Sequence, residues 1–456
     1  MKNIFCLIVT TITLSFSVSC KKFTDVPAPT NLVVSDLAFS DDRSATSTVV
    51  GIYSDMMQTY RAISNSTSLY AGLSADELTS SAVNNIPFLN NNLQPTLSTI
   101  NTYWQQMYSY IYDANAVLDG LKNSTGVSPA VKNQLTGEAL FVRAFVHFYL
   151  VNLFGDVPLI TTSDYRINAT LPRTPSTDIY AQIILDLKNA QNILQAAYPT
   201  TERARPNKWT ATALLARVYL YVKDYVNAEI QSNAVVTSGS YSQAALSTVF
   251  LKSSSETIWQ LMPVSTFLYT FDGATFIPSA TATTIPNTYL NPLLVASFEA
   301  GDQRKTNWVG SKIISGTTYY YPFKYKAGAT STSLTEYYIV FRLSEQYLIR
   351  AEARAQQGTN LSGAISDLNV IRNRAGLSNY TGASNQVSVL NSLMHERQIE
   401  LFTEWGHRWC DLKRTNLADV VLKPIKGSTW ESTDTLYPIP SAQIGANIFL
   451  TQNAGY

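Results

Sequence analysis

Charged side chains concentrate in the stretch 396–414, where Glu400 and Glu404 stand one helical turn apart among large apolar residues. Paired carboxylates are the machinery of glycoside hydrolysis, one acting as acid and the other as base or nucleophile. Like charges at that spacing repel by roughly 0.2–0.5 kcal/mol, but Arg397 precedes Glu400 by three residues and Arg408 follows Glu404 by four. Each carboxylate then has a cation one turn away. A partly buried ion network pinning a helix end is therefore the preferred reading, because buried charges must be paired. His147, His395 and His407 belong to no H-E-x-x-H or other metal-ligand pattern, and no C-x-x-C occurs. Nucleophile-elbow and phosphate-loop motifs are absent from the sequence. Asp76, Glu77 and Asp302 fall in stretches that read as ordinary turns. No catalytic residue, metal or cofactor is expected.

Binding chemistry lies elsewhere. Phe88 adjoins the amide run Asn90-Asn91-Asn92, a flat ring beside hydrogen-bonding groups. Phe267, Tyr269 and Phe271 alternate, which puts three rings on one side of an extended chain. Trp308 follows the Asp302-x-Arg304 turn, and Tyr320 sits within a tyrosine triplet after Gly316. Rings beside amides suit sugars, whose apolar faces stack while their hydroxyls bond. Phe88, Asn90, Asn91, Phe267, Tyr269, Trp308 and Tyr320 are the expected carbohydrate contacts, chosen on composition. Trp104, Trp209, Trp405 and Trp409 lie in helical stripes and are assigned to the core.

Lys plus Arg is 33 against Asp plus Glu 32, and only 14% of residues are charged. That balance offers no field for a nucleic acid, while 27 tyrosines stud an otherwise uncharged polar composition. Residues 1–19 read as a signal peptide: Lys2, a short apolar run over 4–16, then Ser17-Val18-Ser19 before Cys20. The run is shorter than the ~20 residues that span a bilayer. Cys20 is expected to carry lipid, and residues 20–35 to form a tether ahead of a single domain over 36–456. Cys410, the one cysteine left in the folded body, is expected to be buried and inert.

Apolar residues recur every three or four positions over 45–60, 102–121, 132–154 and 177–197. Gly155 is the expected stop of the third helix, and Ser176 or Thr177 the cap of the fourth. Segments 210–238 and 344–375 each place small alanines on two helical runs around a turn, the pattern of a tetratricopeptide-type hairpin. Between 240 and 340 the helical period fades, with strand-like Thr257-Ile258-Trp259-Gln260-Leu261 and Tyr337-Tyr338-Ile339-Val340-Phe341. A second irregular block spans 64–99. The expected fold is mainly α, a helix-pair scaffold carrying long, partly β loop insertions.

Five ordered segments carry a family likeness. Glu396 to Arg414 reads E-R-x-I-E-L-F-x-E-W-G-H-R-W-x-D-L-K-R. Gly137-Glu138-Ala139-Leu140-Phe141-Val142-Arg143-Ala144-Phe145 leads to Leu153-Phe154-Gly155-Asp156-Val157-Pro158-Leu159. Ala213 to Tyr221, Tyr347 to Ala353 with Leu368 to Gly376, and Tyr437-Pro438-Ile439-Pro440 with the closing Gln452-Asn453-Ala454-Gly455-Tyr456 complete the set. Together they resemble the RagB/SusD family of surface glycan-binding lipoproteins. The resemblance implies a non-enzymatic protein, lipid-anchored in the outer membrane and exposed at the cell surface. It also implies a glycan ligand and a SusC-like TonB-dependent transporter as partner. Capture of a peptide or another nutrient for the same kind of transporter is the alternative, and a glycosidase a third.

Overall fold

The computed structural model describes residues 35–58, 62–264 and 267–456; the expected signal peptide, Cys20 and nearly all of the tether lie outside them. Helix α1 (Asp42–Met56) begins where Asp41 accepts from the amides of Arg43 and Ser44 at 2.8 and 3.0 Å. It turns Ala45, Val49, Ile52, Tyr53 and Met56 inward, one apolar stripe at three- and four-residue spacing. Helix α2 (Ser98–Asn123) buries a longer stripe from Ile100 to Leu121. Helix α3 (Pro129–Phe154) opens on proline, whose missing N–H costs nothing in a first turn. It is buried on almost every side from Gly137 onward, as a helix apolar all round must be. Gly155 ends it at φ 73°, a backbone that a side chain would strain.

Helix α4 (Ser176–Ile193) packs along α3 and starts one residue earlier than its expected caps allow. Neither Ser176 nor Thr177 caps it. Instead Asp156, in the turn after α3, accepts from the Ser176 amide and hydroxyl at 2.7 and 2.6 Å, so the cap comes from tertiary structure. The hairpins follow as read: α5 (Lys208–Tyr221) with α6 (Tyr225–Val236), and α7 (Leu343–Gln357) with α8 (Leu361–Arg374). Asn207 and Thr210 form a capping box at α5, and Gly358 closes α7 in the left-handed region at φ 72°. Helix α6 packs against α7 although some hundred residues separate them, so the stack is continuous and the insertion loops out of it. Helix α9 (Gln386–Leu401) covers α7 and α8 over a satellite core of Leu348, Ala351, Leu368, Ile371, Val389 and Leu393.

Among the described residues six short strands sit in and before the insertion: β1 (Leu78–Ser80), β2 (Thr257–Leu261), β3 (Thr288–Leu290), β4 (Val309–Ile314), β5 (Thr317–Pro322) and β6 (Tyr338–Arg342). The two runs read as strands, β2 and β6, pair antiparallel and bury every residue; the polar Gln260 and Arg342 among them are held by hydrogen bonds and ion pairs. Strands β4 and β5 form a hairpin whose two-residue turn, Ser315-Gly316, has both φ values positive at 49° and 80°. That is the backbone a tight hairpin prefers. Strand β1 pairs with β3, and β3 lies against β5.

The stretch 396–414 is not one helix. Helix α9 stops at Leu401, Thr403 and Trp405 turn at positive φ with Gly406, and α10 (His407–Arg414) begins anew. The expected ion network is present, with other partners than expected. Glu400 meets Arg304 at 3.0 Å and Arg342 at 2.5 Å, and Arg374 also binds it. Glu404 meets Arg342 at 2.8 Å and Lys324 at 2.5 Å. Arg397 turns to Asp411 at 2.8 Å, and Arg408 to Asp76 at 2.7 Å. The residues 302, 304 and 76–77 are likewise no ordinary turns; they feed this network, Arg304 binding Asp302 at 2.8 Å and Glu396 at 2.6 Å. Cys410 is buried, and burial pushes its thiol up to about 11.

Candidate functional site: a tyrosine row on the inserted strands

The residues chosen from composition separate sharply once placed. Trp308 ends the short helix Gln303–Trp308 and is wholly buried; its indole N–H donates to the Leu246 carbonyl at 2.9 Å. Arg304, one turn earlier, reaches into the Glu396–Glu400 cluster. Residues four apart share a helix face, so the anchor that pulls Arg304 inward takes Trp308 with it. The expectation of an exposed stacking ring at Trp308 is corrected. Phe88 is corrected too: it lies 1% exposed, stacked on Tyr70 at 4.0 Å and edge-on to Tyr437 at 5.8 Å. The helix Ile86–Leu89 carries it inward. Asn91 is buried at φ 53° with neither amide atom hydrogen-bonded among the described residues, while Asn90 stays half-buried.

Phe267, Tyr269 and Phe271 do not form an extended array. Tyr269 and Phe271 each lie 5.5 Å from Phe267, a clump capped by the helix Phe271–Phe276. Phe271 is buried, and Phe267 and Tyr269 are half-buried. Tyr320 is the most exposed of the chosen rings, at 37%.

The strands assemble something that single residues did not announce. Thr79 on β1 stands opposite Tyr289 on β3; Tyr289 meets Tyr319 on β5 edge-on at 5.0 Å; Tyr319 stands opposite Lys312 on β4. Thr79, Tyr289 and Tyr319 are each half-buried, and their neighbours Leu78, Ser80, Thr288 and Leu290 point into the core. The two strand pairs thus meet through Tyr289 and Tyr319, which brings Thr79, Tyr289, Tyr319 and Lys312 into one row. Tyr321, two residues on, shares the face of Tyr319. Its ring lies over Gly310, where an added Cβ would come within 2.4 Å of the ring and push it aside. Tyr320 points to the opposite face.

Polar groups flank the row. Asn85 donates to the Ser80 and Thr288 hydroxyls at 3.0 and 3.4 Å, and Ser81 to the Pro286 carbonyl at 3.1 Å. Asn84 and Asn287 are exposed beside them. Lys312 donates to the Ala280 carbonyl at 2.5 Å, tying the hairpin to the loop beneath. Phase in the triplet 319–321 was the available signal, since its outer two members share a strand face. Nothing in sequence marked Tyr289.

The charged residues make a poor acid–base centre. Burial alone would raise the Glu400 carboxyl, but Arg374, Arg342 and Arg304 outweigh it and hold it well below the usual range. A group so held cannot donate a proton near neutrality. Burial pushes Asp272 up to about 8 and Lys324 down to about 8. They face a cavity of about 10 Å³, room for one water and no sugar. Among the described residues no His, Cys, Asp or Glu cluster is placed to hold a metal.

Comparison with known proteins agrees with the architecture. Residues 23–220 match a family model described as "Starch-binding associating with outer membrane", and residues 296–456 match the SusD family. SusD-like protein P2 of Formosa agariphila is 28% identical over 415 residues, 78% of this chain and 81% of that one. The starch-binding protein SusD of Bacteroides thetaiotaomicron is 32% identical over 124 residues, 26% of this chain and 21% of its own. A SusD superfamily structure from Bacteroides vulgatus superposes with a TM-score of 0.81 at 21% identity, over 92% of this chain and 100% of that one. A laminarin-binding SusD-like protein superposes at 0.75 and 22% identity, over 92% and 100%. The structures share the fold.

Proposed function

The chain belongs to the SusD/RagB family of carbohydrate-binding proteins associated with the outer membrane, and from that premise we propose that it captures a neutral oligosaccharide on the tyrosine row. The carrying observation is the alignment of Tyr289, Tyr319 and Tyr321 on one face of the inserted strands, held by a rigid helical stack. Stacking one sugar ring on one aromatic contributes on the order of 1 kcal/mol, so several rings in register give modest affinity and select for glycan shape. Exposed Asn84 and Asn287 supply hydroxyl partners. In this reading the protein binds without cleaving and hands its ligand to a SusC-like TonB-dependent transporter. Lipid on Cys20 would hold it to the outer membrane, two or more acyl chains being enough for stable anchoring. The resemblance of the family to a laminarin-binding protein and to a starch-binding one makes neutral glucans the first ligands to try.

Affinity electrophoresis in gels carrying starch, laminarin or other neutral polysaccharides tests it. Retention that Tyr289→Ala and Tyr319→Ala each weaken supports glycan capture there. Retention unaffected by both moves the site elsewhere, and release of reducing ends would make the protein a glycosidase.

A further inference from the structure

Strand β4 carries a glycine that its own backbone does not require. A chain needs glycine where the backbone turns left-handed, as at Gly316 in the turn of this hairpin, at φ 80°, or where a strand bulges. Gly310 has neither cause. It is not among the positive-φ residues, and pairing runs without a slip from Val309 and Pro322 to Ile314 and Thr317, with Gly310 opposite Tyr321. Such a glycine weakens a strand, because it loses more backbone freedom on folding than any other residue and packs no side chain. It marks a place where another group must come close to the backbone.

At Gly310 that group is the Tyr321 ring. A Cβ at this position would meet the ring's Cε2 and Cζ at 2.4 Å and its hydroxyl at 2.8 Å. The same ring stands edge-on to Phe323 at 5.7 Å. Phe323 is fixed in turn: its N–H donates to the Trp308 carbonyl at 2.7 Å, and the Lys326 ammonium lies 3.9 Å from the centre of its ring. Trp308 is itself wholly buried. The room for Tyr321 therefore comes from the side chain that residue 310 lacks. Tyr321 stays half-buried, with part of its surface open to a ligand. It shares a face of β5 with Tyr319, two residues and so about 6.6 Å along the strand.

We infer that Gly310 is a positioning residue of the proposed glycan site: by leaving β4 bare it seats the Tyr321 ring as a second stacking surface beside Tyr319. The inference rests on the glycan reading above and adds to it what holds one of the rings in place. Gly310 acts through Tyr321 and not by touching the sugar. An oligosaccharide long enough to cover both rings feels the glycine, and one that covers Tyr319 alone does not.

Titration calorimetry of the whole chain with maltohexaose and laminarihexaose, beside thermal melting, tests this. Gly310→Ala is expected to weaken binding about fivefold, as the loss of one ring contact does. Its melting temperature should stay level or rise, because alanine suits a strand better than glycine. Tyr321→Ala should weaken binding equally, and G310A/Y321A no further, since no ring remains to be displaced. Wild-type binding by G310A, with Y321A weakened, overturns the seat and leaves the row standing. Losses that multiply in the double variant place the effect of Gly310 away from Tyr321 and overturn it too. A G310A chain that melts well below wild type makes the glycine a packing need of the hairpin, which also overturns it. Full binding by Y321A, with Tyr319→Ala weakened, removes the second ring and the inference with it. A wild type that binds neither hexasaccharide and is retained by no neutral polysaccharide sinks the glycan reading itself.

Discussion

Glu400 and Tyr319 mark two regions built by opposite rules. Around Glu400 the chain buries carboxylates and guanidinium groups drawn from the insertion, β6, α8 and α9, each charge meeting more than one partner. Around Tyr319 it leaves neutral rings half-covered on short strands that few side chains cross-brace. The first region ties the insertion to the helical stack, because Arg304, Lys324 and Arg342 all belong to the inserted segment or its return strand. The second uses the rigidity so obtained to hold rings in register. Charge here is structural, and the proposed recognition surface is built from neutral rings. Loops carried on a stiff frame are where binding residues concentrate.

Glu400→Gln should break the first region most severely. It leaves Arg304, Arg342 and Arg374 buried around a neutral amide, a loss of about 3–5 kcal/mol that urea denaturation would register. A change below about 1 kcal/mol would mean the cluster does not act as a unit. Trp308→Ala tests which side of the comparison that residue belongs to. Removing a buried indole costs about 3–5 kcal/mol, while glycan retention per folded molecule should match the wild type. Weakened retention in a stably folded W308A would return Trp308 to the binding surface.

The pH dependence of stability gives a smaller effect. Burial raises Asp272 and Glu77 to about 8, so the folded state keeps protons that the unfolded chain releases near pH 4. Stability therefore falls as pH rises from about 4 towards 8, by at most about 1.4 kcal/mol per pH unit for each group, and levels off above 8. Asp272→Asn should flatten that slope relative to wild type, and an unchanged slope would deny Asp272 its proton. Smallest in energy is the contrast across strand β5. Tyr319→Ala should weaken glycan binding about fivefold, whereas Tyr320→Ala, on the other face, should leave it unaltered. Equal effects of the two in titration calorimetry would erase the proposed row.

Much of the frame was legible in the chain. Alanine spacing in 210–238 and 344–375 and the stripe along 102–121 carry helical periodicity locally, and the strands near 257–261 and 337–341 were visible as runs rich in β-branched and aromatic residues. The family likeness was legible for the same reason, since its motifs are contiguous. The site was not, because which side of a short element faces water depends on its neighbours. Trp308 and Phe88 looked like loop rings and lie on short helices turned inward, whereas Tyr289 carries no local mark at all.

Sequence by itself determined that this chain makes helical pairs with an interrupted, aromatic-rich insertion, and that its charges are too few and too balanced for polyanion binding. Local periodicity and composition are enough for that. Only the tertiary structure decided which guanidinium meets which carboxylate and which tyrosines align, because those depend on contacts between residues tens to hundreds of positions apart.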